Sequence, residues 1–153
     1  MKIHRLHRCQ QLNATLAEAW RFFSDPRNLA KITPPAMGFE ILSDPGPDTF
    51  EGQIIVYRIR LALGLPCTWV TEIRHVHAPH QFVDEQRSGP YRFWHHRHQF
   101  VEKDGGVEMT DEVHYALWPL PGAGLLHRYY VRPQIERIFD YRTERIREKF
   151  GAD

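Results

Sequence analysis

The sequence predicts an α+β fold in which a curved antiparallel sheet of about seven strands wraps around one long C-terminal helix. From Phe39 onward, apolar and polar residues alternate in segments that only short turn sequences such as Asp104-Gly105-Gly106 separate. Short spacers join antiparallel neighbours, because a parallel crossover needs a dozen or more residues. After the last strand, the apolar period becomes helical and continues to Phe150.

Two short helices are predicted after the first strand, which covers residues 2–12. Leu16, Ala19, Trp20 and Phe23 fall on one face at helical spacing, and Asn13 or Thr15 is the predicted cap. Asp25-Pro26 ends this helix, and residues 28–32 form a second helical turn.

Glycine and proline delimit the remaining elements. A turn is predicted at residues 45–47. The C-terminal helix begins near Leu125 or at Pro133, which either starts it or kinks a longer helix. The predicted strands are residues 39–43, 52–63, 67–77, 81–87, 91–103 and 107–118.

Length and composition indicate a single globular domain over residues 1–153. The net charge of +1 argues against a nucleic-acid partner. The longest uncharged run, residues 115–126, is too short for a membrane span, and the N-terminus lacks the apolar core of a signal peptide. We expect a cytoplasmic monomer or weak homodimer, with Cys9 and Cys67 as free thiols.

The last hairpin predicts which residues face the helix. Asp104-Gly105 is a strong two-residue turn signal. It pairs Phe100 with Met109, His98 with Asp111, His96 with Val113 and Trp94 with Tyr115, all on one face because side chains alternate along a strand. The face toward the helix is therefore aromatic, yet it holds histidines opposite a carboxylate.

The inward face is too polar for an ordinary core, and buried charges must be paired, hydrated or bound. In one interpretation they satisfy each other, with Arg142 paired to Asp84 or Asp111, and Asp111 paired to His98. In the other, they line a wet cavity that orients a ligand. The candidate ligand-binding residues are Tyr57, Trp69, Thr71, Asp84, Gln86, Trp94, His96, His98, Phe100, Asp111, Tyr115, Ile138 and Arg142.

Several passages resemble the START-like superfamily, which includes the birch-pollen allergens and polyketide cyclase/dehydratases and is also named SRPBCC or helix-grip. The sequence is most similar to its small bacterial ligand-binding members of unknown function. The resemblance implies a cavity between sheet and helix that holds a hydrophobic or amphipathic small molecule. The matching passages are residues 17–20 and 24–26, Thr33-Pro34-Pro35, residues 82–86, Gly89-Pro90-Tyr91, Trp94, His96, His98, Phe100, Asp111, Val113, Tyr115, Phe139, Tyr141 and Arg142.

Three functions are compatible with these residues. The first is a carrier or sensor for a lipid-like, aromatic or polyketide-like molecule. The second is a cyclase-, dehydratase- or hydrolase-type enzyme with His98 as the catalytic acid or base and Asp111 as its orienting carboxylate. The third is a metal site with His96, His98 and Asp111 as ligands. Neither a metal nor another cofactor is expected, because chance pairs arise among ten histidines and the resemblance requires no metal.

Overall fold

The structure, a computed structural model, describes residues 1–46 and 48–151. The predicted turn at residues 45–47 ends at Pro47, which lies outside the described residues. Short 3₁₀ helices cover Pro26–Ile32, Pro35–Met37 and Ala62–Gly64. The other elements are β1 (His4–Leu12), α1 (Leu16–Phe23), β2 (Glu40–Ile41), β3 (Ile54–Arg60), β4 (Pro66–His77), β5 (Gln81–Ser88), β6 (Phe93–Lys103), β7 (Gly106–Ala116), α2 (Ala123–Leu126) and α3 (Arg132–Phe150).

The seven strands form one antiparallel sheet in the order β1-β7-β6-β5-β4-β3-β2. The first strand returns to pair with the last, and every other strand pairs with a neighbour in sequence. The predicted α+β class and the sheet with its long C-terminal helix are confirmed. The shortest strand, β2, has two residues, so most of the predicted strand at residues 39–43 is irregular.

Thr15, one of the two predicted caps, begins α1. Its hydroxyl accepts a hydrogen bond of 3.2 Å from the backbone N–H of Glu18, and the Glu18 carboxylate accepts one of 2.8 Å from the backbone N–H of Thr15. This reciprocal arrangement satisfies two donors that a helix start leaves free. It fixes the direction in which α1 leaves β1.

The C-terminal helix is one helical run with an irregular turn in it. A π-helical turn, His127–Val131, joins α2 to α3, and the residue at the junction, Val131, has helical dihedrals. Pro133 therefore lies inside a longer helix rather than at its start. Because proline has no N–H to donate to the preceding turn, a wider turn at this point loses no hydrogen bond.

The predicted register of the last hairpin is confirmed at every pair. Asp104 and Gly105 have positive φ angles of 52° and 77°, as a type I′ turn requires. Lys103 pairs with Gly106, and the alternation continues along both strands to Trp94 and Tyr115. The inward set of β6 and β7 is thus the predicted one.

The helix α3 covers this inward face along its length. Ile135 and Phe139 pack with residues of β1 and β7, whereas Ile146 packs with residues of β3, β4 and α1. Between these two apolar clusters, α3 presents Arg142, which is buried. The buried polar residue Arg142 therefore lies between two apolar clusters.

Gly106 provides a test of how closely β1 and β7 approach. A Cβ at this position would lie 2.2 Å from the backbone oxygen of Leu12, whereas one at Gly124, in α2, would meet nothing within 4 Å. We expect Gly106→Ala to lower the free energy of unfolding by about 2 kcal/mol, as overpacking does. Gly124→Ala should leave it unchanged or raise it by up to about 1 kcal/mol. Urea unfolding of both variants measures this, and equal effects would show that the strand contact is easily relaxed.

Candidate functional site

Three adjacent strands bring four ionisable side chains together beneath α3. Asp84 of β5 pairs with His96 of β6, and His98 of β6 pairs with Asp111 of β7. His96, His98 and Asp111 are at most 7% exposed, and Asp84 is half-buried. Since the strand pairing fixes all four backbone positions, the cluster is part of the sheet rather than of a loop.

The shortest contacts in this cluster cross between strands. Nε2 of His98 lies 2.7 Å from Oδ2 of Asp84, and Nε2 of His96 lies 2.7 Å from Oδ1 of Asp111. Two longer contacts complete a cycle of alternating histidines and aspartates. Nδ1 of His96 is 3.4 Å from Oδ2 of Asp84, and Nδ1 of His98 is 3.1 Å from Oδ1 of Asp111. The last contact is too oblique for a hydrogen bond. The indole Nε1 of Trp94 donates to the other Asp84 oxygen over 3.3 Å.

Burial and the neighbouring charges act on these groups in opposite directions. Burial raises the pKa of both Asp84 and Asp111, but the two histidines outweigh it and hold each carboxyl pKa below its ordinary value. Burial and the nearby His98 lower the pKa of His96. Burial also lowers the pKa of His98, but interactions with the two carboxylates outweigh it and raise this pKa above that of a free imidazole. His98 is therefore the more basic of the two imidazoles.

The predicted ion pair of Arg142 with Asp84 or Asp111 is wrong. Among the described residues, the Arg142 guanidinium has no carboxylate within 4.0 Å, and its Nε has no hydrogen-bond partner although the residue is only 8% exposed. Its Cζ lies 4.7 Å from the ring centre of Phe139. The carboxylates already accept from the histidines and Trp94, so the guanidinium is left facing open space.

That space is a cavity with two lobes between the sheet, α3 and the 3₁₀ segments. The larger lobe has a volume of about 120 Å³ and the smaller about 70 Å³. Six residues line both lobes and so mark where they meet: Leu29, Phe39, Tyr57, Asp84, His98 and Arg142. The walls of the larger lobe are mainly aromatic, with Trp69, Tyr91 and Trp94 in mutual ring contact.

Most of the sequence-predicted site residues line this cavity, and four do not. Gln86 instead holds the turn before β6, because its side chain bonds both the N–H and the carbonyl of Tyr91. The residues on the cavity walls are Tyr57, Trp69, Thr71, Asp84, Trp94, His96, His98, Ile138 and Arg142.

The other three predicted residues that lie off the cavity walls have structural surroundings. Phe100 is completely buried in the apolar core. Asp111 lies behind the histidines, so it acts on the cavity only through them. Tyr115 lies beyond the larger lobe, and its hydroxyl is 2.9 Å from Nε2 of His127.

Sequence reasoning did not include several wall residues in the site. Leu29 lies in the predicted helical turn, which is part of a 3₁₀ helix, and Phe39 lies in the predicted strand at residues 39–43 but just outside β2, so neither prediction gave the direction of the side chain. Ile59 and Phe139 also line the larger lobe, although the candidate set does not include them. The unpartnered Nε1 of Trp69, which is 7% exposed, is a second buried donor at the cavity wall. No sequence signal identifies a missing partner.

The buried carboxylate behind the histidines predicts a large effect on stability. Asp111→Asn removes a charge that His96 and His98 compensate, whereas Glu112→Gln changes the next residue, whose ion pairs with Arg5 and Arg97 lie on the outer face. We expect Asp111→Asn to lower the free energy of unfolding by about 3 kcal/mol, as breaking a buried pair does. Glu112→Gln should cost about 1 kcal/mol or less. Chemical denaturation compares them, and a cost for Asp111→Asn as small as the control's would mean that the cluster contributes little to folding.

Comparison of the sequence with protein-family models gives no match, and a search of curated proteins gives none either. Within the described residues, no helix is long and apolar enough to cross a membrane. Solved structures, in contrast, match over almost the whole chain.

Three of these structures illustrate the likeness. The aromatase/cyclase Zhui from Streptomyces sp. R1128 has a TM-score of 0.75 at 16% identity, over 97% of this chain and 93% of that one. Protein CV1439 from Chromobacterium violaceum has a TM-score of 0.70 at 15% identity, over the full length of both chains. The protein Ara h 8.0201 has a TM-score of 0.63 at 16% identity, over 95% of this chain and 98% of that one. The chain therefore has the helix-grip fold, as the sequence resemblance implies.

Proposed function

We propose that the protein binds a small amphipathic molecule in the two-lobed cavity and serves as its carrier or sensor. The observation that carries the proposal is the Arg142 guanidinium, which is buried at the junction of the lobes without a partner among the described residues. The similar structures support binding of a small molecule by this fold, since one of them is named an aromatase/cyclase.

Buried hydrogen-bond donors without acceptors destabilise the folded protein. A guanidinium removed from water without an acceptor costs several kcal/mol. The indole N–H of Trp69 is a second donor without a partner in the described chain. A ligand oxygen near Arg142 supplies the missing acceptor, and a carboxylate suits a guanidinium best because both are planar and can form two hydrogen bonds.

The cavity size narrows the ligand class. An apolar cavity of about 150 Å³ accommodates benzene, and the larger lobe here is of about 120 Å³. This conformation therefore suits a molecule of one aromatic ring or a short aliphatic chain, with an oxygen-bearing end at Arg142. A longer lipid-like or polyketide-like ligand would extend into the second lobe or out into solvent.

Replacement of Arg142 by methionine tests the proposal with benzoate and benzyl alcohol as probes. We expect Arg142→Met to weaken benzoate binding tenfold or more, because a hydrogen bond to a charged group contributes about 1.5–3 kcal/mol. Binding of benzyl alcohol should change less than threefold. The free energy of unfolding should stay equal or rise, since methionine fills the space without an unpaired charge. Titration followed by NMR of the indole N–H groups of Trp69 and Trp94 measures both affinities.

The matched control is Arg137→Met, which removes an exposed arginine from the same helix. It should leave both affinities unchanged. A large stability loss in Arg142→Met protein with unchanged benzoate binding would contradict the proposal and assign Arg142 to the structure alone.

An enzyme of the cyclase, dehydratase or hydrolase type is the second candidate. It is favoured by the position of His98, which lines both lobes and contacts Asp84 over 2.7 Å. Native mass spectrometry of the protein purified without a metal-affinity step, followed by release of any retained molecule in organic solvent, supplies the test compound. Its chemical conversion by wild-type protein but not by His98→Gln indicates turnover, whereas unchanged recovery indicates a carrier or sensor.

A further inference from the structure

Three metal-ligating atoms converge at the wall of the cavity. Asp84, His96 and His98 each offer one such atom, and the three atoms lie within 4.8 Å of one another; the histidine nitrogens nearest Asp84 are Nδ1 of His96 and Nε2 of His98. The Asp84 oxygen is 3.4 Å from the first nitrogen and 2.7 Å from the second. First-shell ligands that each lie about 2.0–2.2 Å from a metal ion have separations of this size.

The sheet holds these donors in place before any ion binds. His96 and His98 are two residues apart on β6 and share its inward face, and Asp84 is the paired residue on β5. The centres of the His96 and His98 rings are 3.8 Å apart. A site on paired central strands pays little ordering entropy when an ion binds, in contrast to a site on mobile loops.

Asp111 occupies the position of an outer-shell carboxylate. Its Oδ1 contacts the opposite nitrogen of each ring, Nε2 of His96 at 2.7 Å and Nδ1 of His98 at 3.1 Å. Metal-ligating histidines commonly donate their other N–H to such a carboxylate, which fixes the tautomer and orients the ring. In the tautomer that a metal ion would select, each ring carries its proton on the nitrogen nearest Asp111, and the lone pairs of His96 Nδ1 and His98 Nε2 are directed toward Asp84.

The proton count of the cluster leaves room for a cation. Four nitrogen–oxygen contacts of 2.7–3.4 Å join two imidazoles to two carboxylates. Two neutral imidazoles carry only two N–H groups. With both imidazoles neutral, two of the contacts bring a nitrogen lone pair against a carboxylate oxygen, and a divalent cation between His96, His98 and Asp84 would replace these contacts by coordination while balancing the two carboxylate charges.

The donor set is also open on one side. Asp84 and His98 line both lobes of the cavity, and His96 lines the larger one. Catalytic metal sites have this form, with three protein ligands and a free position for water or substrate, whereas structural sites are closed.

We propose that Asp84, His96 and His98 form a mononuclear site for a divalent transition metal of the zinc or ferrous-iron class, with Asp111 orienting both histidines. This proposal is independent of the ligand proposed above, because Arg142 belongs to the ligand site and not to the donor set. The unpartnered Arg142 guanidinium lines the same cavity from α3 and could hold an anionic molecule that occupies the free coordination position.

Cobalt(II) is the probe, because its visible absorption reports ligand type and coordination number. Chelator-treated wild-type protein should bind one Co²⁺ per chain, and Zn²⁺ should displace it. His98→Gln should weaken Co²⁺ binding at least a hundredfold. Asp111→Asn, which leaves the three ligands in place, should weaken it about 10–100-fold. If His98→Gln protein does not fold by circular dichroism, Asp84→Asn removes a ligand with less change of shape.

Two controls separate this site from the other histidines and from the ligand proposal. His75 and His77 are also two apart on one strand but are exposed, and the double variant His75→Asn/His77→Asn should bind Co²⁺ like wild type. Arg142→Met should also retain Co²⁺ binding, even where it loses benzoate. The proposal is overturned if wild-type protein shows no saturable binding of one Co²⁺ per chain, or if a folded His98→Gln or Asp84→Asn variant binds it as wild type does.

Discussion

The pairing of β6 with its two neighbours determines the position of the histidine–carboxylate cluster in the cavity wall. His96 and His98 face α3 only because β6 pairs with β7 in the register that the Asp104-Gly105 turn sets. A shift by one residue would turn both histidines outward and bring Arg97 and Gln99 beneath the helix. On the outer face, Arg97 forms an ion pair of 3.0 Å with Glu112, so both faces of the sheet favour the same register.

This register imposes an electrostatic problem that the fold solves only in part. Asp84 and Asp111 are held next to imidazoles, and their lowered pKa values show that the pairing more than offsets burial. The compensation is uneven, because the cluster has more close nitrogen–oxygen contacts than two neutral imidazoles can bridge with protons. Across the cavity, Arg142 of α3 has a buried Nε without an acceptor in the described chain. The protein thus buries a partly unsatisfied set of donors and acceptors in one place, which is unusual for groups that serve folding alone.

The sequence predicts the parts of this arrangement that depend on strand alternation. A two-residue turn leaves one register for β6 and β7, so the inward set of both strands follows from counting. Tyr57, Trp69, Thr71 and Asp84 follow from the same alternation on β3, β4 and β5. The fold class is predictable for the same reason, because short spacers restrict the order of the strands.

The sequence does not predict features that depend on side-chain orientation, because the strand register fixes only the backbone position of each residue. His98 lies opposite Asp111 in the register, yet its shorter contact is with Asp84 on the other side, since ring orientation decides which oxygen a nitrogen reaches. The predicted partner of Arg142 was wrong for a related reason: both carboxylates accept from histidines on their own sheet, and Asp84 also from Trp94. Leu29 and Phe39 come from segments too short for a period to define an inward face, so only the three-dimensional structure shows that they line the cavity.

The fold itself does not decide between a carrier and an enzyme, because the helix-grip architecture is compatible with both. The function depends on which ligand groups the polar residues of the cavity can bind at the same time. Asp84, His98 and Arg142 line both lobes, so a molecule that crosses the junction contacts a cationic donor on the helix side and the three donor atoms on the sheet side. A molecule with a carboxylate can bind the Arg142 guanidinium without a metal. If a metal is bound to Asp84, His96 and His98, the carboxylate can also coordinate the metal. A neutral apolar compound satisfies neither, and it would leave the buried guanidinium and the crowded lone pairs as they are. The arrangement of charges, more than the shape of the cavity, therefore favours a ligand with an anionic end.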